Sequence, residues 1–252
     1  DGNSRVTAFY PKPHESGRFY KNLVNAALYI LDPRIFSYIP DNRPSDFGKD
    51  IFPSLLKSGQ SIRAYKTAEY IKDMGTPERF EKTKNDILSG KVAWLNRSNK
   101  RKAVFLDRDG VINREVGDLR KVEQFELLEG VAESIRKINK SEYLCIVITN
   151  QPGLAKGFYS FNTLAQIHNK MDSLLGRNGA FIDGLYYCPH HPEQGFPGEV
   201  PELKIECECR KPKPLLFFNA ERDFNIDLAK SYFIGDRYID VQAGKNAGTK
   251  TI

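Results

Sequence analysis

The sequence predicts an α/β protein with a Rossmann-like parallel sheet, and two patterns in its second part support this fold class. Short apolar runs alternate with amphipathic stretches of helical length from residue 102 to the end of the chain. Strands separated by such helices form βαβ units, in which neighbouring strands run parallel. Polar residues directly follow several of the apolar runs, at the strand ends where parallel sheets bind ligands.

The elements of this part follow one another in a regular order. We expect strands at residues 103–106, 143–149, 185–187 and 232–234. We expect helices at residues 131–139, 161–175 and 239–246, and a further helix that Pro214 opens. The chain starts at Asp1 rather than Met and stops within a β-type stretch, so we expect both of its ends to be cut.

A polar, basic connector at residues 96–102 separates this part from the first, and no apolar period crosses it. We therefore place a domain boundary there, with a first domain at residues 1–98 and a second at 102–252. In the first domain we expect strands near residues 5–10, 23–31, 62–65 and 70–71, and helices after Pro33, at 49–56 and at 77–88. This pattern alone indicates only a fragment of an α/β domain.

Composition limits the class of partner. The 252 residues are 40% hydrophobic and carry a formal charge of +6 without a block of Lys and Arg, which suits anionic metabolites better than nucleic acid. No apolar run has the length of a membrane span, and no signal sequence opens the chain. We therefore expect a cytoplasmic protein with a small-molecule substrate and no nucleic-acid or membrane partner, and the sequence does not predict its oligomeric state.

Two carboxylates, Asp107 and Asp109, follow the first predicted strand of the second domain. A solvated turn is the ordinary explanation for two acids at this spacing, but further polar residues stand at the other strand ends. These companions are Thr149, Asn150, Arg210, Lys211, Asp236, Arg237 and Asp240. Together they provide a nucleophile, an acid/base group, phosphate-binding donors and ligands for Mg²⁺, so we expect an active site at this edge of the sheet.

Three cysteines and a histidine form two close pairs in a loop region that is rich in Pro and Gly. The pairs are Cys188 with His190 and Cys207 with Cys209. The loop between them has few apolar residues to bury, so we expect a tetrahedral Zn²⁺ with four protein ligands to hold it in a structural role. His191 is the alternative to His190, and reduced cysteines beside an idle histidine are the alternative to a metal site.

The order of these motifs over residues 102–252 resembles the haloacid dehalogenase superfamily of phosphohydrolases. The segments Cys-Pro-His-His-Pro at 188–192 and Cys-Glu-Cys-Arg-Lys-Pro at 207–212 resemble the branch that contains heptose-bisphosphate and histidinol-phosphate phosphatases. The resemblance implies that Asp107 is the nucleophile, forming an aspartyl-phosphate, and that Asp109 is the acid/base. It also implies a Mg²⁺ held by Asp107, the main chain of Asp109, and Asp236.

Further roles follow from the same resemblance. Thr149 and Lys211 bind the transferred phosphoryl group, with Lys213 as the alternative cation. Asn150, Arg210 and Arg237 face the substrate, and the loop at residues 115–118 takes the substrate-contacting position of the family. Asp240 is expected to orient its neighbours rather than to bind metal.

The first domain resembles the last part of sugar-1-phosphate nucleotidyltransferases at residues 24–29, 46–53 and 72–78. This resemblance implies a metal-ligand role for Asp73 and a sugar contact for Asn25, although Pro11 and Ala27 depart from the family pattern. The glycine-rich loop that binds a triphosphate is not in the sequence, so we expect no nucleotidyl transfer. The two resemblances together imply a Mg²⁺-dependent heptose-bisphosphate phosphatase of nucleotide-activated heptose biosynthesis. Histidinol-phosphatase and a non-catalytic scaffold are the alternatives.

Overall fold

The computed structural model describes residues 4–10, 15 and 17–252. Its contacts divide the chain into two compact units. The first contains Leu23–Thr67 and the described residues up to Arg18, and the second contains Phe19–Asn22 and Ala68–Ile252. The domain boundary at residues 98–102 follows from sequence patterns rather than from these contacts, and it stays a prediction.

The first unit is built from short helical turns around a small aromatic core. Its elements are a 3₁₀ turn at Pro33–Tyr38, a π-helical turn at Phe47–Ile51 and helix α1 at Phe52–Lys57. The Asp46 carboxylate accepts a hydrogen bond from the Lys49 amide and so begins the second of these turns. Phe52 is buried against the rings of Phe9 and Tyr29.

The strands predicted for the first domain are wrong. Residues 23–31 form no strand, and several of their apolar side chains are exposed. Residues 70–71 form no strand either, and the stretches near 5–10 and 62–65 meet only in an isolated bridge between Arg5 and Arg63. A strand needs a neighbour along its length for its backbone hydrogen bonds, and among the described residues the bridge provides only two, from the Val6 amide to the Ile62 carbonyl and from the Ala64 amide to the Ser4 carbonyl. Pro11, which departs from the family pattern in the sequence, lies outside the described residues.

Two helices of the second unit precede its sheet. Helix α2 spans Pro77–Leu88, as predicted, and helix α3 spans Lys91–Leu95. The Thr76 hydroxyl caps α2 by accepting a hydrogen bond from the Arg79 amide, and Pro77 takes the first helical position, where its missing N–H leaves no intrahelical bond unmade.

The second unit contains one parallel sheet of five strands, which confirms the predicted fold class. The strands are β1 at Lys102–Leu106, β2 at Tyr143–Asn150, β3 at Gly184–Cys188, β4 at Tyr232–Ile234 and β5 at Lys250–Thr251. Their order in the sheet is β3-β2-β1-β4-β5. The chain thus moves outward from β1 to β3 and then returns to the other side of β1, which makes the crevice between β1 and β4 a switch point where such sheets bind ligands.

Four helices cover the sheet. They are α4 at Val131–Lys140, α5 at Phe161–Arg177, α6 at Leu215–Phe224 and α7 at Tyr238–Ala247. Alternate residues of β2 enter two separate cores: Ile146 packs with Phe217 of α6, and Val147 packs with Met171 of α5. No helix of the described residues is long and apolar enough to cross a bilayer.

Asp183 pairs with the backbone of β2 just before β3 begins. Its carboxylate accepts a hydrogen bond of 2.8 Å from the Cys145 amide, and burial raises its pKa to about 6. Its folded-state pKa therefore lies above the value of 3.8 expected in the unfolded chain, so folding favours the protonated form and stability increases as the pH falls through 6.

We expect the unfolding free energy of the wild type, relative to that of Asp183→Asn, to rise by about 1 kcal/mol between pH 7.5 and pH 5. The amide keeps an oxygen that can accept from Cys145 but cannot ionise, so the difference isolates this one group. Urea unfolding of both proteins at the two pH values measures it, and a difference that does not depend on pH contradicts the assignment.

Candidate active site

The cleft lies at the carboxyl ends of β1, β2 and β4, where the polar strand ends were predicted to meet. The predicted site residues that line it are Asp107, Asp109, Thr149, Asn150, Arg210, Lys211, Arg237 and Asp240. Asp236 stands beside them, because its carboxylate belongs to one cluster with those of Asp107 and Asp240. The structure therefore brings the carboxylates, cations and donors of four separate loops to one place.

A buried ion cluster forms the centre of the cleft. The Lys211 ammonium lies 2.9 Å from an oxygen of Asp107 and 2.6 Å from an oxygen of Asp240. All three side chains are largely buried, with exposures of 2% for Lys211, 8% for Asp107 and 1% for Asp240. Burial raises the pKa of Asp107, and the positive charge of Lys211 opposes this rise. One ammonium between two carboxylates leaves an excess of negative charge.

This excess charge fits a divalent cation. Oxygens of Asp107, Asp236 and Asp240 lie within 4.8 Å of one another, and hard cations such as Mg²⁺ prefer carboxylate oxygens as ligands. Gly110 makes room for the cluster: its φ is +81°, and a β-carbon at this position would lie 2.2 Å from an Asp236 oxygen. Asp240 is also engaged by the Arg237 amide at 3.1 Å, so two partners orient its carboxylate.

Asp109 has a different environment from Asp107. Its carboxylate accepts hydrogen bonds from Arg108, Asn113 and Gln151. Burial pushes the pKa of Asp109 up, but the Arg108 charge and these hydrogen bonds together hold it below its usual value. The pKa values of Asp107 and Asp109 therefore shift in opposite directions. Asp107 lies beside a lysine, and Asp109 lies beside an arginine.

The other predicted substrate-facing residues make contacts within the protein. Asn150 accepts a hydrogen bond from the Lys211 amide and donates to the Lys211 carbonyl, which fixes the backbone that carries the buried ammonium. Arg210 donates to the carbonyl of His190, and Arg237 pairs with Glu115 at 2.7 Å. Their contacts with a substrate stay predictions.

The three cysteines and His190 form a compact cluster next to the cleft. The sulfur of Cys209 lies 3.2 Å from that of Cys188 and 3.5 Å from that of Cys207. The same Cys209 sulfur lies 3.3 Å from His190 Nδ1. The four ligand atoms lie within 4.8 Å of one another, which suits a tetrahedral Zn²⁺. His191 is not in this cluster, and its Nδ1 faces the Glu193 carbonyl at 3.4 Å.

Several side chains at the site were not among the predicted residues. Arg108 lies between Asp107 and Asp109, and Gln151 directly follows Thr149 and Asn150, so their positions in the sequence could have suggested a role. His168 and Tyr159 come from α5 and from the loop before it, and each contacts one of those two residues. Nothing in the spacing of His168 or Tyr159 distinguishes them from ordinary helix and loop residues.

The fold and the site together define a phosphatase domain of the haloacid dehalogenase type. Two family models match the chain, a HAD-hydrolase-like model at residues 208–252 and a nucleotidyl transferase model at residues 1–90. Among solved structures, a putative HAD-like phosphatase from Mesorhizobium loti is 31% identical, with a TM-score of 0.55 over 60% of this chain and 70% of that one.

Named relatives show to which family of these phosphatases the chain belongs. The D-glycero-β-D-manno-heptose-1,7-bisphosphate 7-phosphatase of Haemophilus ducreyi is 42% identical over 153 residues, which are 60% of this chain and 81% of the relative. The α-anomer enzyme of Burkholderia mallei is 41% identical over 60% of this chain and 78% of the relative. The D,D-heptose 1,7-bisphosphate phosphatase of B. bronchiseptica, solved with magnesium and phosphate, is 32% identical with a TM-score of 0.53 and covers 60% of this chain and 78% of that one. The chain belongs to the family of heptose-1,7-bisphosphate 7-phosphatases, as its motifs had predicted.

We expect Gly110→Ala to lose about 100-fold in phosphate release, because the new methyl group must displace the Asp236 carboxylate. Gly130→Ala is the matched control: Gly130 has a similar φ of +76°, but a β-carbon there meets nothing within 4 Å. Each variant should be destabilised by about 1–2 kcal/mol because alanine is strained at positive φ.

Urea unfolding and hydrolysis of p-nitrophenyl phosphate measure the two effects. Equal losses of activity in the two variants would mean that backbone strain, rather than the position of Asp236, causes the defect.

Proposed function

We propose that this chain removes the 7-phosphate of D-glycero-D-manno-heptose 1,7-bisphosphate through an aspartyl-phosphate intermediate, in nucleotide-activated heptose biosynthesis. The observation that carries this proposal is the buried Asp107 carboxylate at the switch point, which pairs with Lys211 and is separated by one residue from a second carboxylate, that of Asp109. The names of the relatives at about 40% identity support the substrate class.

The reaction needs two displacements at phosphorus. In the first, a carboxylate oxygen of Asp107 bonds to the phosphorus while the bond to the sugar oxygen breaks, and Asp109 gives its proton to that oxygen. In the second, Asp109 takes a proton from water, whose oxygen displaces the Asp107 carboxylate and releases phosphate. Lys211 and Thr149 contact the phosphoryl oxygens in this proposal and stabilise the charge that they carry in each transition state.

Asp107, the main chain of Asp109, and Asp236 are the proposed ligands of Mg²⁺. When bound, the ion supplies positive charge that offsets the repulsion between the phosphate and the carboxylates. Asp240 remains outside this ligand set in the proposal, because Lys211 and the Arg237 amide already engage its carboxylate. Asn150, Arg210 and Arg237 are proposed to face the rest of the sugar phosphate.

A structural Zn²⁺ held by Cys188, His190, Cys207 and Cys209 completes the proposal. All four tetrahedral positions are then filled by protein atoms, which leaves no position for a reacting water. The four cysteines of the chain are unpaired, which fits the reducing conditions of the cytoplasm, where we propose that the protein acts.

We further propose that residues 1–98 form the C-terminal fragment of a nucleotidyltransferase domain and that residues 102–252 form the phosphatase domain. The match of the nucleotidyl transferase model to residues 1–90 supports the first assignment. The Asn25 side chain accepts hydrogen bonds from Ala27 and Tyr29, and the Asp73 carboxylate pairs with Arg79, so local structure uses both groups.

We expect Asp107→Asn to fold normally and to release no phosphate, because the amide has a similar shape but is not an anionic nucleophile. Asp223→Asn is the control, since Asp223 accepts hydrogen bonds from Tyr186 and Arg222 away from the cleft. Steady-state assays should use the α and β heptose bisphosphates and histidinol phosphate. Near wild-type release by Asp107→Asn would show that the nucleophile is misassigned, and a preference for histidinol phosphate would favour the alternative phosphatase.

Elemental analysis should find about one zinc per chain, and Cys207→Ser should lose both the zinc and several kcal/mol of stability in the second unit. Cys145→Ala is the control, because Cys145 is buried in the sheet outside the cluster and its replacement should leave the zinc in place. A zinc-free preparation that unfolds at the same urea concentration as the metal-bound protein would rule out the structural role.

A further inference from the structure

Asp109 is held in one orientation by side chains on both of its oxygens. Arg108 donates to Oδ1 from Nε at 3.2 Å and from Nη2 at 2.9 Å, and its Nη2 also lies 2.8 Å from Oδ2. Gln151 donates to Oδ2 at 3.0 Å, and Asn113 donates to Oδ1 at 3.0 Å. The direction in which this carboxylate points therefore depends on where Arg108 and Gln151 are held.

His168 of α5 holds Arg108. The Arg108 side chain is 1% exposed, and its Nη1 lies 3.2 Å from His168 Nε2. A guanidinium can only donate, so Nε2 must be the acceptor and the proton of the neutral ring must be on Nδ1. Burial and the nearby Arg108 charge lower the pKa of His168 to about 3, which keeps the imidazole in this accepting form.

Tyr159 holds Gln151 in the same way. The phenol donates to Gln151 Oε1 at 2.8 Å, while Gln151 Nε2 donates to Asp109 and, at 3.0 Å, to Thr149 Oγ1. A flipped amide would point its oxygen at the Asp109 carboxylate and its NH₂ group at the phenol. The Asp109 carboxylate excludes the flipped form, and the hydrogen bond from Tyr159 fixes where the correctly oriented amide lies.

We infer that His168 and Tyr159 are positioning residues for the proton transfers of Asp109, acting through Arg108 and Gln151; this inference rests on the proposed function. Asp109 must give a proton to the sugar oxygen and later take one from water, and both transfers depend on the alignment of its carboxylate. Neither His168 nor Tyr159 contacts the carboxylate itself. His168 acts through Arg108, and Tyr159 acts through Gln151.

The test compares His168→Leu and Tyr159→Phe with the wild type and with His168→Gln. The first two variants keep much of the side-chain volume but lose the polar atom that makes the contact. Glutamine places an amide oxygen close to the position of Nε2, where it can accept from Arg108, so we expect His168→Gln to recover most of the activity. Urea unfolding of each variant shows whether it is folded under assay conditions.

Two substrates separate positioning from general damage. With the sugar bisphosphate, His168→Leu and Tyr159→Phe should lose about 10-fold to 100-fold in kcat with little change in KM, because the leaving alkoxide needs a well-aligned proton donor. With p-nitrophenyl phosphate the leaving group needs no proton, so the first turnover should keep its wild-type rate. Later turnovers should be slower, since Asp109 must still deprotonate water, and a burst of nitrophenolate should appear.

Equal slowing of the first turnover and of later turnovers in folded variants would overturn the inference, and so would unchanged kcat on both substrates. Failure of the proposed function gives a different result: the wild type itself would not hydrolyse the sugar bisphosphate. In that case the burst with p-nitrophenyl phosphate still tests the positioning roles.

Discussion

The buried pairing of Lys211 with Asp107 and Asp240 is the interaction on which the rest of the site depends. An ammonium at 2% exposure is strongly disfavoured unless carboxylates replace the water that it has lost. Each partner comes from a different element: Asp107 follows β1, Asp240 lies in the first turn of α7, and Lys211 follows the cysteine cluster. The ion cluster therefore joins three segments that are distant in the sequence, and each of them carries other residues of the cleft.

Neighbouring carboxylates at this edge of the sheet differ because their cationic partners differ. Asp107 faces an ammonium that it shares with Asp240, so burial dominates and its pKa rises. Asp109 does not share the Arg108 guanidinium with a second carboxylate. Hydrogen bonds from two side-chain amides add to the effect of this charge, so the pKa of Asp109 falls. Groups two residues apart in one strand-end motif thus acquire different proton affinities, because a lysine shared between two carboxylates lies beside one and an arginine lies beside the other.

The sequence was sufficient for those features that local pattern determines. Apolar runs such as 143–149 became strands, and polar residues directly after the runs, such as Asp107 and Thr149, reached the cleft because parallel strands end at one edge. His168 could not be predicted, since its contact with Arg108 depends on how α5 is rotated against the sheet. The predicted strand at 23–31 failed because β-type composition forms a strand only where a partner strand exists.

The cysteine cluster connects the loop between Cys188 and Cys207 to the ion cluster. Cys188 ends β3 and is therefore fixed by the sheet, whereas Cys209 stands two residues before Lys211 in a segment without regular structure. Asn150 binds both the amide and the carbonyl of Lys211, so β2 holds the lysine from one side while the sulfur cluster holds the chain just before it. Loss of the cluster would leave the Asn150 contacts and the ion pairs intact, but it would release Arg210, whose side chain donates to the carbonyl of His190 within the cluster. The two cations of the motif therefore differ in what holds them: the sheet holds Lys211, and the cysteine cluster holds Arg210.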